Sequence, residues 1–307
     1  MPEGIIVKAL SGFYYVRPVD DEDTLIQCRA RGIFKKKGVT PLVGDRVQFA
    51  VTENGEGTVD EIEPRSTELI RPPVANVDQA VLAFSLTEPA LNLQLLDKFL
   101  VHTSNSGLDT IICLTKRDLL PEGGEDDVTA HEEISLDEVK RLYERIGYTV
   151  IVTSTNTKEG LEQVRARLEG RISVFSGQSG VGKSSLLNAI MPELTLQTNE
   201  ISMKLGRGKH TTRHVELISL DGEQGGFVAD TPGFSQLDFL HMEADELSSC
   251  FIEMKPLSAG CKFRGCLHQS EPGCQVLAAL ERGEIAQTRY KHYLIFLQEM
   301  KERKRRY

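Results

Sequence analysis

The segment that most constrains the fold is a glycine-rich run at residues 177–184, GQSGVGKS. It fits the pattern G-x-x-x-x-G-K-[ST] and stands between a β-rich run, RISVFS, and a helical run, SSLLNAI, the context that such a loop requires. Glycines there let backbone N–H groups converge on phosphate oxygens at a helix N-terminus. The segment therefore predicts an α/β domain that binds a nucleotide.

The side chains of this loop have separate expected roles. Lys183 should reach the β and γ phosphates, and it is also a candidate catalytic residue. The Ser184 hydroxyl should ligate Mg²⁺. The predicted nucleotide-binding residues of the loop are Gly177, Gln178, Ser179, Gly180, Val181, Gly182, Lys183, Ser184 and Ser185.

A second nucleotide motif, 230-DTPGF-234, follows the apolar run GFVAD. Asp230, at the end of that predicted strand, can hold Mg²⁺ through water. The Gly233 N–H can meet the γ-phosphate, which would make this segment a sensor of hydrolysis. The two motifs together predict a nucleoside triphosphate site.

The base is indicated by 114-LTKRDL-119, at the end of the predicted strand DTIICLT. These residues resemble the guanine-reading Asn-Lys-x-Asp motif of GTPases, with Thr115 in the first place. The Asp118 carboxylate can accept hydrogen bonds from both N1–H and the N2 amino group of guanine, a donor pair that adenine lacks. The Lys116 stem can lie over the ring. The motif therefore predicts guanine specificity.

A further base-contacting segment is predicted at 153-TSTNTKEGL-161, which resembles the GTPase loop whose backbone N–H groups, here near Ser154 and Thr155, support the base. Both base-reading segments precede the glycine-rich loop, whereas in ordinary GTPases they follow it. This order predicts a circularly permuted GTPase domain. Its parallel sheet is predicted to contain the strands DQAVLAFSL, DTIICLT, TVIVTS, RISVFSG, HVELISL and GFVAD.

The polar segment 201–214, between the glycine-rich loop and DTPGF, is predicted to be a mobile switch. Thr211 or Thr212 could meet Mg²⁺ in the GTP state, and Thr212 is slightly favoured. The predicted Mg²⁺ ligands are Ser184, Thr212 and Asp230.

Hydrolysis is expected to be slow in the isolated chain. Phe234 stands where many GTPases carry a glutamine that positions water, and an apolar side chain cannot orient water. His210, beside the switch threonines, is the candidate for orienting water once an external structure orders the site; the alternative is a solvent-exposed loop histidine. The catalytic candidates are His210, Lys183 and Thr212.

The N-terminal part, up to about residue 64, shows five short β-like runs broken by turn residues, which fits a small barrel. An OB-type barrel is the obvious candidate, and an SH3-like barrel remains open. A linker-like run, RSTELIRPP, follows at 65–73. The run 29–38 and the tail 301–306 are basic, although the formal charge of the chain is -9. The first residues lack a signal peptide pattern, which predicts a cytoplasmic protein without a membrane segment.

Three of the six cysteines fall within 261-CKFRGCLHQSEPGC-274, giving the spacing C-x₄-C-x-H-x₅-C. Three thiolates and one imidazole suit a closed, tetrahedral, structural Zn²⁺ site. The predicted Zn²⁺ ligands are Cys261, Cys266, His268 and Cys274. A helix is predicted from about residue 283 to 304, with Tyr290, Tyr293, Leu294, Leu297 and Met300 on one apolar face that packs on its own domain.

Together, the TKRD, GQSGVGKS, GRGKHTT and DTPGF motifs in this order, the barrel and the cysteine spacing closely resemble the RsgA family of ribosome small subunit-dependent GTPases. The resemblance covers essentially the whole chain. It implies a multidomain α/β protein with an OB-type barrel at 1–68, a circularly permuted P-loop GTPase domain at 69–238 and a zinc-binding helical domain at 239–307.

The resemblance also implies a monomer that binds GTP with Mg²⁺, holds one Zn²⁺, and acts on the 30S ribosomal subunit and its rRNA during late maturation. The subunit would stimulate hydrolysis of GTP to GDP, and Lys35 to Lys37 and the 301–306 tail would contact rRNA phosphates. Two other functions remain open. One is an RNA-binding scaffold that uses GTP only as a conformational ligand, and the other is a P-loop ATPase.

Overall fold

The computed structural model describes residues 1–21, 24–53, 55–70, 72–120, 134–192, 215–220, 225–230, 239 and 242–304. The chain divides into two compact units, Met1–Val81 with Thr155–Ser235 and Leu82–Ser154 with Gln236–Tyr307. Each unit is therefore built from two separate stretches of sequence. Within the ranges just given, no helix combines the length and apolar character needed to cross a membrane.

The first unit begins with a five-stranded barrel. Its strands are β1 (Glu3–Leu10), β2 (Phe13–Pro18), β3 (Ile26–Ala30), β4 (Arg46–Val51) and β5 (Gly57–Ile62), and helix α1 (Gly32–Lys36) lies between β3 and β4. The strands pair in the order β1-β2-β3-β5-β4, and β4 returns to β1, which closes the barrel. The order, with β3 parallel to β5, is that of an OB-type barrel. Apolar side chains at alternate positions fill the interior, among them Ile6, Val16, Val47, Phe49 and Val59.

The run predicted to be a linker instead contains a two-stranded antiparallel ladder of β6 (Glu68–Ile70) and β7 (Pro73–Ala75). Leu69 and Val74 are buried, and Val74 also bridges to Val43. The burial of these side chains fixes a segment whose proline and serine content is typical of a loop. The prediction of a plain linker at 65–73 was therefore wrong.

The remainder of the first unit carries helices α4 (Leu161–Leu168) and α5 (Lys183–Ile190) and strands β11 (Ile172–Ser176), β12 (Glu216–Ser219) and β13 (Phe227–Asp230). Strand β11 is parallel to β13, as predicted, but β12 is antiparallel to β13. The connection from β12 to β13 is too short for the crossover that a parallel pair needs. Strand β12 also pairs with β1 of the barrel, where Lys8 Nζ lies 2.8 Å from Glu216 Oε2.

The second unit contains parallel strands β9 (Asp109–Thr115) and β10 (Thr149–Val152), with β8 (Gln79–Ser85), which enters from the first unit, beside β9. Helices α2 (Leu93–Asn105) and α3 (Leu136–Ile146) connect the strands. Ser135 caps α3, since its hydroxyl accepts from the Glu138 N–H while the Glu138 carboxylate accepts from the Ser135 N–H. Helix α3 ends at Ile146, and the next residue, Gly147, caps it with a φ of 117°, which suits glycine.

The C-terminal part of the second unit has short helices α6 (Lys255–Ser258) and α7 (Gln275–Glu281), followed by the long helix α8 (Gln287–Lys304). The apolar face predicted for α8 is confirmed, because Tyr293, Leu297 and Met300 are buried in the core of this region. Tyr290 and Leu294 are partly buried against the same core. The helix thus packs on its own region, as expected.

A buried cluster of charged and polar side chains joins α2, α3 and α8 in the second unit. Arg289 Nη1 lies 2.6 Å from Asp97 Oδ1, and the Arg289 Nε lies 2.7 Å from Glu253 Oε1. His292 Nδ1 is 2.6 Å from Asp97 Oδ2, and the Tyr143 hydroxyl donates to Asp97 Oδ1 at 2.7 Å. Arg289 and Asp97 are essentially inaccessible to solvent, so the attraction between the two opposite charges must offset the cost of burying each of them.

Replacing Arg289 by alanine should therefore leave Asp97 buried without its charged partner. We expect the Arg289→Ala variant to lose about 3–5 kcal/mol of unfolding free energy, measured by chemical denaturation. Arg282 offers a matched control, because its guanidinium is exposed and pairs with Glu284. Arg282→Ala should leave the unfolding midpoint unchanged, and equal effects of the two substitutions would contradict the assignment.

Candidate nucleotide and metal sites

The glycine-rich loop of the first unit connects the end of β11 at Ser176 to the start of α5 at Lys183. Gly180 and Gly182 have φ values of 81° and 92°, in the left-handed region. A Cβ added at either position would meet nothing within 4 Å, so backbone conformation and not space calls for glycine there. The strand, the glycine-rich turn and the helix thus follow one another in the order that the G-x-x-x-x-G-K-[ST] pattern predicts.

Lys183 folds back over this loop. Its Nζ donates to the carbonyl oxygens of Gly177 at 2.7 Å and Gln178 at 2.5 Å. Burial lowers the pKa of the Lys183 ammonium to about 8. The two carbonyls hold the Lys183 Nζ at the loop, where phosphate oxygens could take over their role, while burial makes its charged form less favourable than in water.

The other loop residues differ in exposure. Val181 is buried and anchors the loop, whereas Ser179 and Gly180 are exposed. Ser184 is partly exposed in the first turn of α5, where a hydroxyl could reach a cation bound to phosphate. Gln178 and Ser185 are also partly exposed.

The TKRD segment of the second unit forms a tight turn at the end of β9. Thr115 is buried, and its hydroxyl donates to the Phe84 carbonyl at 3.3 Å. Lys116 adopts a left-handed conformation with φ of 63°, and its Nζ donates to the Glu88 carbonyl. A 3₁₀ turn then begins at Arg117 and carries Asp118, the third residue after the end of β9.

Ser154 fixes the Asp118 carboxylate. The Ser154 hydroxyl donates to Asp118 Oδ1 at 2.6 Å, and Ser154 is 1% exposed. Strands β9 and β10 are parallel with Val152 opposite Leu114, so their carboxyl ends bring the two residues to one edge of the sheet. The sequence predicted only backbone contacts for the segment 153–161 and did not predict that the Ser154 side chain would bind Asp118. Thr155, the next residue, is exposed.

The structure thus gathers Thr115, Lys116, Asp118 and Ser154 at the ends of two neighbouring strands. For Asp230 it describes the backbone, which closes β13 as predicted. The switch candidates His210, Thr211 and Thr212, together with Gly233 and Phe234 of the DTPGF motif, lie outside the described residues.

The four predicted metal ligands come together in the second unit. One ligand atom from each of Cys261, Cys266, His268 and Cys274 lies within 4.8 Å of the other three. The Cys261 and Cys274 sulfurs are 3.9 Å apart, and His268 Nδ1 lies 3.6 Å and 3.2 Å from them. Zn–S bonds of about 2.3 Å in a tetrahedron put two sulfurs about 3.8 Å apart, so this donor set fits such an ion.

Groups around the ligands orient them for a metal. His268 Nε2 lies 3.2 Å from the Ser258 hydroxyl, which leaves Nδ1 to face the cysteines. The backbone N–H of Leu277 donates to the Cys274 sulfur at 3.4 Å. Glu271 accepts from three backbone N–H groups of the loop. Although burial opposes it, these bonds lower the pKa of Glu271 to about 2. Sequence reasoning missed Ser258 and Glu271, which no metal-ligand spacing reveals.

The strand, glycine-rich loop and lysine-headed helix define a P-loop nucleotide-binding protein. Its C-terminal region carries a Cys₃His group that could bind a metal ion. Comparison with known proteins specifies the family. The model for the RsgA N-terminal domain matches residues 3–59, and the model for the RsgA GTPase matches residues 62–240.

Relatives match over their full length. The small ribosomal subunit biogenesis GTPase RsgA of Bacillus velezensis is 56% identical over 307 residues, and that of Bacillus subtilis is 52% identical over 309, each alignment covering 100% of both chains. The solved structure of YloQ, described as a circularly permuted GTPase, superposes with a TM-score of 0.82 at 46% identity and covers 99% of this chain and 96% of its own. The solved structure of YjeQ from Thermotoga maritima superposes with a TM-score of 0.82 at 35% identity, and the match covers 97% of this chain and 98% of the YjeQ chain.

The chain belongs to the RsgA family of GTPases. The resemblance drawn from the sequence is therefore confirmed, as is the fold class of an N-terminal β-barrel, a circularly permuted GTPase domain and a C-terminal Cys₃His region with helices.

The Cys₃His geometry predicts one bound metal ion per chain. Cys266→Ser should abolish it and lower the unfolding temperature, because a soft ligand is lost from a closed site. Metal content by plasma mass spectrometry is the measurement. Cys250 is buried in the same core but lies outside the group, so Cys250→Ser should retain the ion. Loss of metal from both variants, or metal-free wild-type protein after refolding with Zn²⁺, would contradict the assignment.

Proposed function

We propose that this chain is a GTP hydrolase that binds the 30S ribosomal subunit in late maturation and hydrolyses GTP faster when bound to it. The proposal of guanine specificity is supported by the Asp118 carboxylate, which Ser154 orients near the end of β9. The subunit follows from relatives at 52–56% identity that are named small ribosomal subunit biogenesis GTPases. The protein would act in the cytoplasm as a monomer on the 30S subunit and its rRNA.

Guanine recognition is assigned to the TKRD turn. The Ser154 hydroxyl orients the Asp118 carboxylate through Oδ1. A carboxylate has about four acceptor positions, and we assign to this one the N1–H and the N2 amino group of guanine. The Lys116 stem would cover the ring, and backbone N–H groups near Ser154 and Thr155 would support it. Thr115 has no side-chain amide, and its hydroxyl is engaged with Phe84.

Phosphate binding is assigned to residues 177–185. The Lys183 ammonium would hold the β and γ phosphates and stabilise the charge that develops on them during transfer. Mg²⁺, when bound, would neutralise phosphate charge, and Ser184, Thr212 and Asp230 would hold it. Gly233 would contact the γ-phosphate, and His210 would orient the attacking water.

The Cys₃His group would hold one structural Zn²⁺, because its four ligands leave no position for a substrate. Binding of such an ion stabilises a small domain by an apparent ~10–16 kcal/mol. We propose domain limits of 1–68 for the barrel, 69–238 for the GTPase domain and 239–307 for the zinc-binding domain.

Contacts with rRNA are assigned first to α1 of the barrel. Lys35, Lys36 and Lys37 are exposed there around the buried Phe34, which anchors the helix. The 301–306 tail, which α8 enters, would add further phosphate contacts. Such contacts predict binding that weakens steeply with salt.

The direct test is phosphate release from GTP with and without isolated 30S subunits. We expect the subunit to raise the rate toward the ~10³-fold or more that supplied catalytic groups give. Isolated 50S subunits serve as the control for nonspecific RNA effects. A rate that 30S subunits leave unchanged, despite binding, would favour the RNA-binding scaffold that uses GTP only as a conformational ligand.

His210 is tested in the same assay. His210→Ala should keep the GTP affinity and lose the stimulated rate, because water would no longer be oriented. Survival of the stimulated rate would remove His210 from the catalytic set.

Asp118→Asn should move the preference from guanine toward xanthine nucleotides, because the amide donates where the carboxylate accepts. Competition binding with GTP, XTP and ATP measures the shift. Ser154→Ala keeps the carboxylate but frees its orientation, so GTP binding should weaken by about 1 kcal/mol, roughly fivefold, with no change of base preference. An unaltered preference in Asp118→Asn would instead indicate an ATPase.

The lowered pKa of Lys183 predicts coupled proton uptake. Without nucleotide about half of the Lys183 side chains are neutral near pH 8, whereas bound phosphates would raise the pKa and restore the charge. GTP affinity should therefore fall as the pH rises through 8. At that pH the protein should take up a fraction of a proton for each GTP that it binds. Titration calorimetry in two buffers of different ionisation enthalpy measures it. Equal heats in both buffers would contradict this prediction.

A further inference from the structure

The tip of the Cys₃His loop, residues 262–265, presents an aromatic ring to solvent. Phe263 is 46% exposed, whereas the other aromatic side chains of the described residues are buried or partly buried. Isolated exposed apolar side chains are ordinary on protein surfaces and need no explanation by themselves. The surroundings of Phe263 distinguish it from such residues.

The tip is tied to its surroundings on both sides. The candidate metal ligands Cys261 and Cys266 flank it, and the Lys262 N–H donates to the Gly273 carbonyl at 3.4 Å. Gly265, with φ of 68°, completes the turn. The ring is therefore displayed from a constrained loop, so that binding a flat partner would cost little ordering entropy.

Positive charge accompanies the ring. Lys262 and Arg264 on either side are exposed, and Lys262 Nζ lies 5.5 Å from the centre of the Phe263 ring. The stretch 261–270 contains no acidic residue. The first acid, Glu271, turns its carboxylate to backbone N–H groups of the loop itself. Lys301 of α8 contacts the same loop through Gln269 at 2.5 Å.

We propose that Phe263 is a stacking platform for an unpaired RNA base, with Lys262 and Arg264 binding the phosphates beside it. An exposed aromatic ring with flanking cations matches the two parts of a single-stranded nucleotide, its flat base and its charged backbone. An apolar pocket on a protein would be matched by the ring but not by the two charges. This inference rests on the proposed function, since it places the RNA in the small ribosomal subunit.

The test compares the affinity of full-length variants for isolated 30S subunits. Phe263→Ala and Phe263→Leu should both weaken binding by about 5- to 150-fold, because each removes the stacking ring, and Phe263→Trp should retain it. Ile70→Ala, at a side chain that is 71% exposed, is the control and should bind like wild type. Unchanged metal content and unfolding midpoint would establish that each variant is folded.

Each outcome has a definite meaning. Wild-type affinity in Phe263→Leu with loss in Phe263→Ala would indicate an apolar protein contact and overturn the stacking proposal. Wild-type affinity in both would also overturn it while leaving the proposed function standing. Failure of the wild-type protein to bind 30S subunits would refute the proposed function itself.

Tryptophan fluorescence provides a second test that does not depend on the affinity measurement. The chain has no tryptophan of its own. Phe263→Trp therefore provides a single tryptophan at the tip, and stacking of a base should quench its emission when 30S subunits are added. Ile70→Trp is the matched control and should keep its emission. Unquenched emission from the bound Phe263→Trp protein would contradict base stacking.

Discussion

The Arg289–Asp97 ion pair is the contact on which the second unit depends. Burial opposes a charge at Arg289, but Asp97 and Glu253 raise its pKa well above the usual value, so the guanidinium remains charged. Asp97 belongs to α2, next to the strands that carry the TKRD turn, and Arg289 belongs to α8. One buried pair thus connects the part of the second unit that carries the TKRD turn to the C-terminal helix.

From α8 the connection continues to the metal group. The Tyr290 hydroxyl donates to the His268 carbonyl at 2.7 Å, and the Tyr293 hydroxyl donates to the Leu267 carbonyl at 2.8 Å. A bound ion would fix the loop at Cys261, Cys266, His268 and Cys274, and these two bonds join that loop to α8. One continuous set of contacts in the second unit therefore joins the Asp118 turn to the loop that carries the Cys₃His group. The permuted order of the chain makes this possible, because it leaves the C-terminal region to follow DTPGF directly.

Sequence reasoning succeeded where a local pattern dictates the chemistry. The glycine-rich loop, the cysteine spacing and the alternation of strands with helices each need only neighbouring residues, and the structure has the elements where they were predicted. It failed where distant residues decide the outcome. The predicted linker forms a two-stranded ladder because Leu69 and Val74 are buried. Strand β12 runs antiparallel to β13, not parallel as predicted, because the connection between them is short. Arg289 and Asp97 are 192 positions apart in the sequence, and no hydrophobic periodicity predicts that they form a pair.

The candidate site shows the same division. The motif identified Asp118 through its type and position, but Ser154 became its partner only because β10 lies parallel to β9 in a particular register. In the proposed function, Asp118 would read the guanine of a GTP whose phosphates Lys183 would hold. The most direct measurement is a crystal structure with a non-hydrolysable GTP analogue and Mg²⁺. We expect guanine N1 and N2 within about 3 Å of the Asp118 carboxylate, and phosphate oxygens equally close to Lys183 Nζ. A base bound away from Asp118 while the phosphates occupy the loop would contradict it.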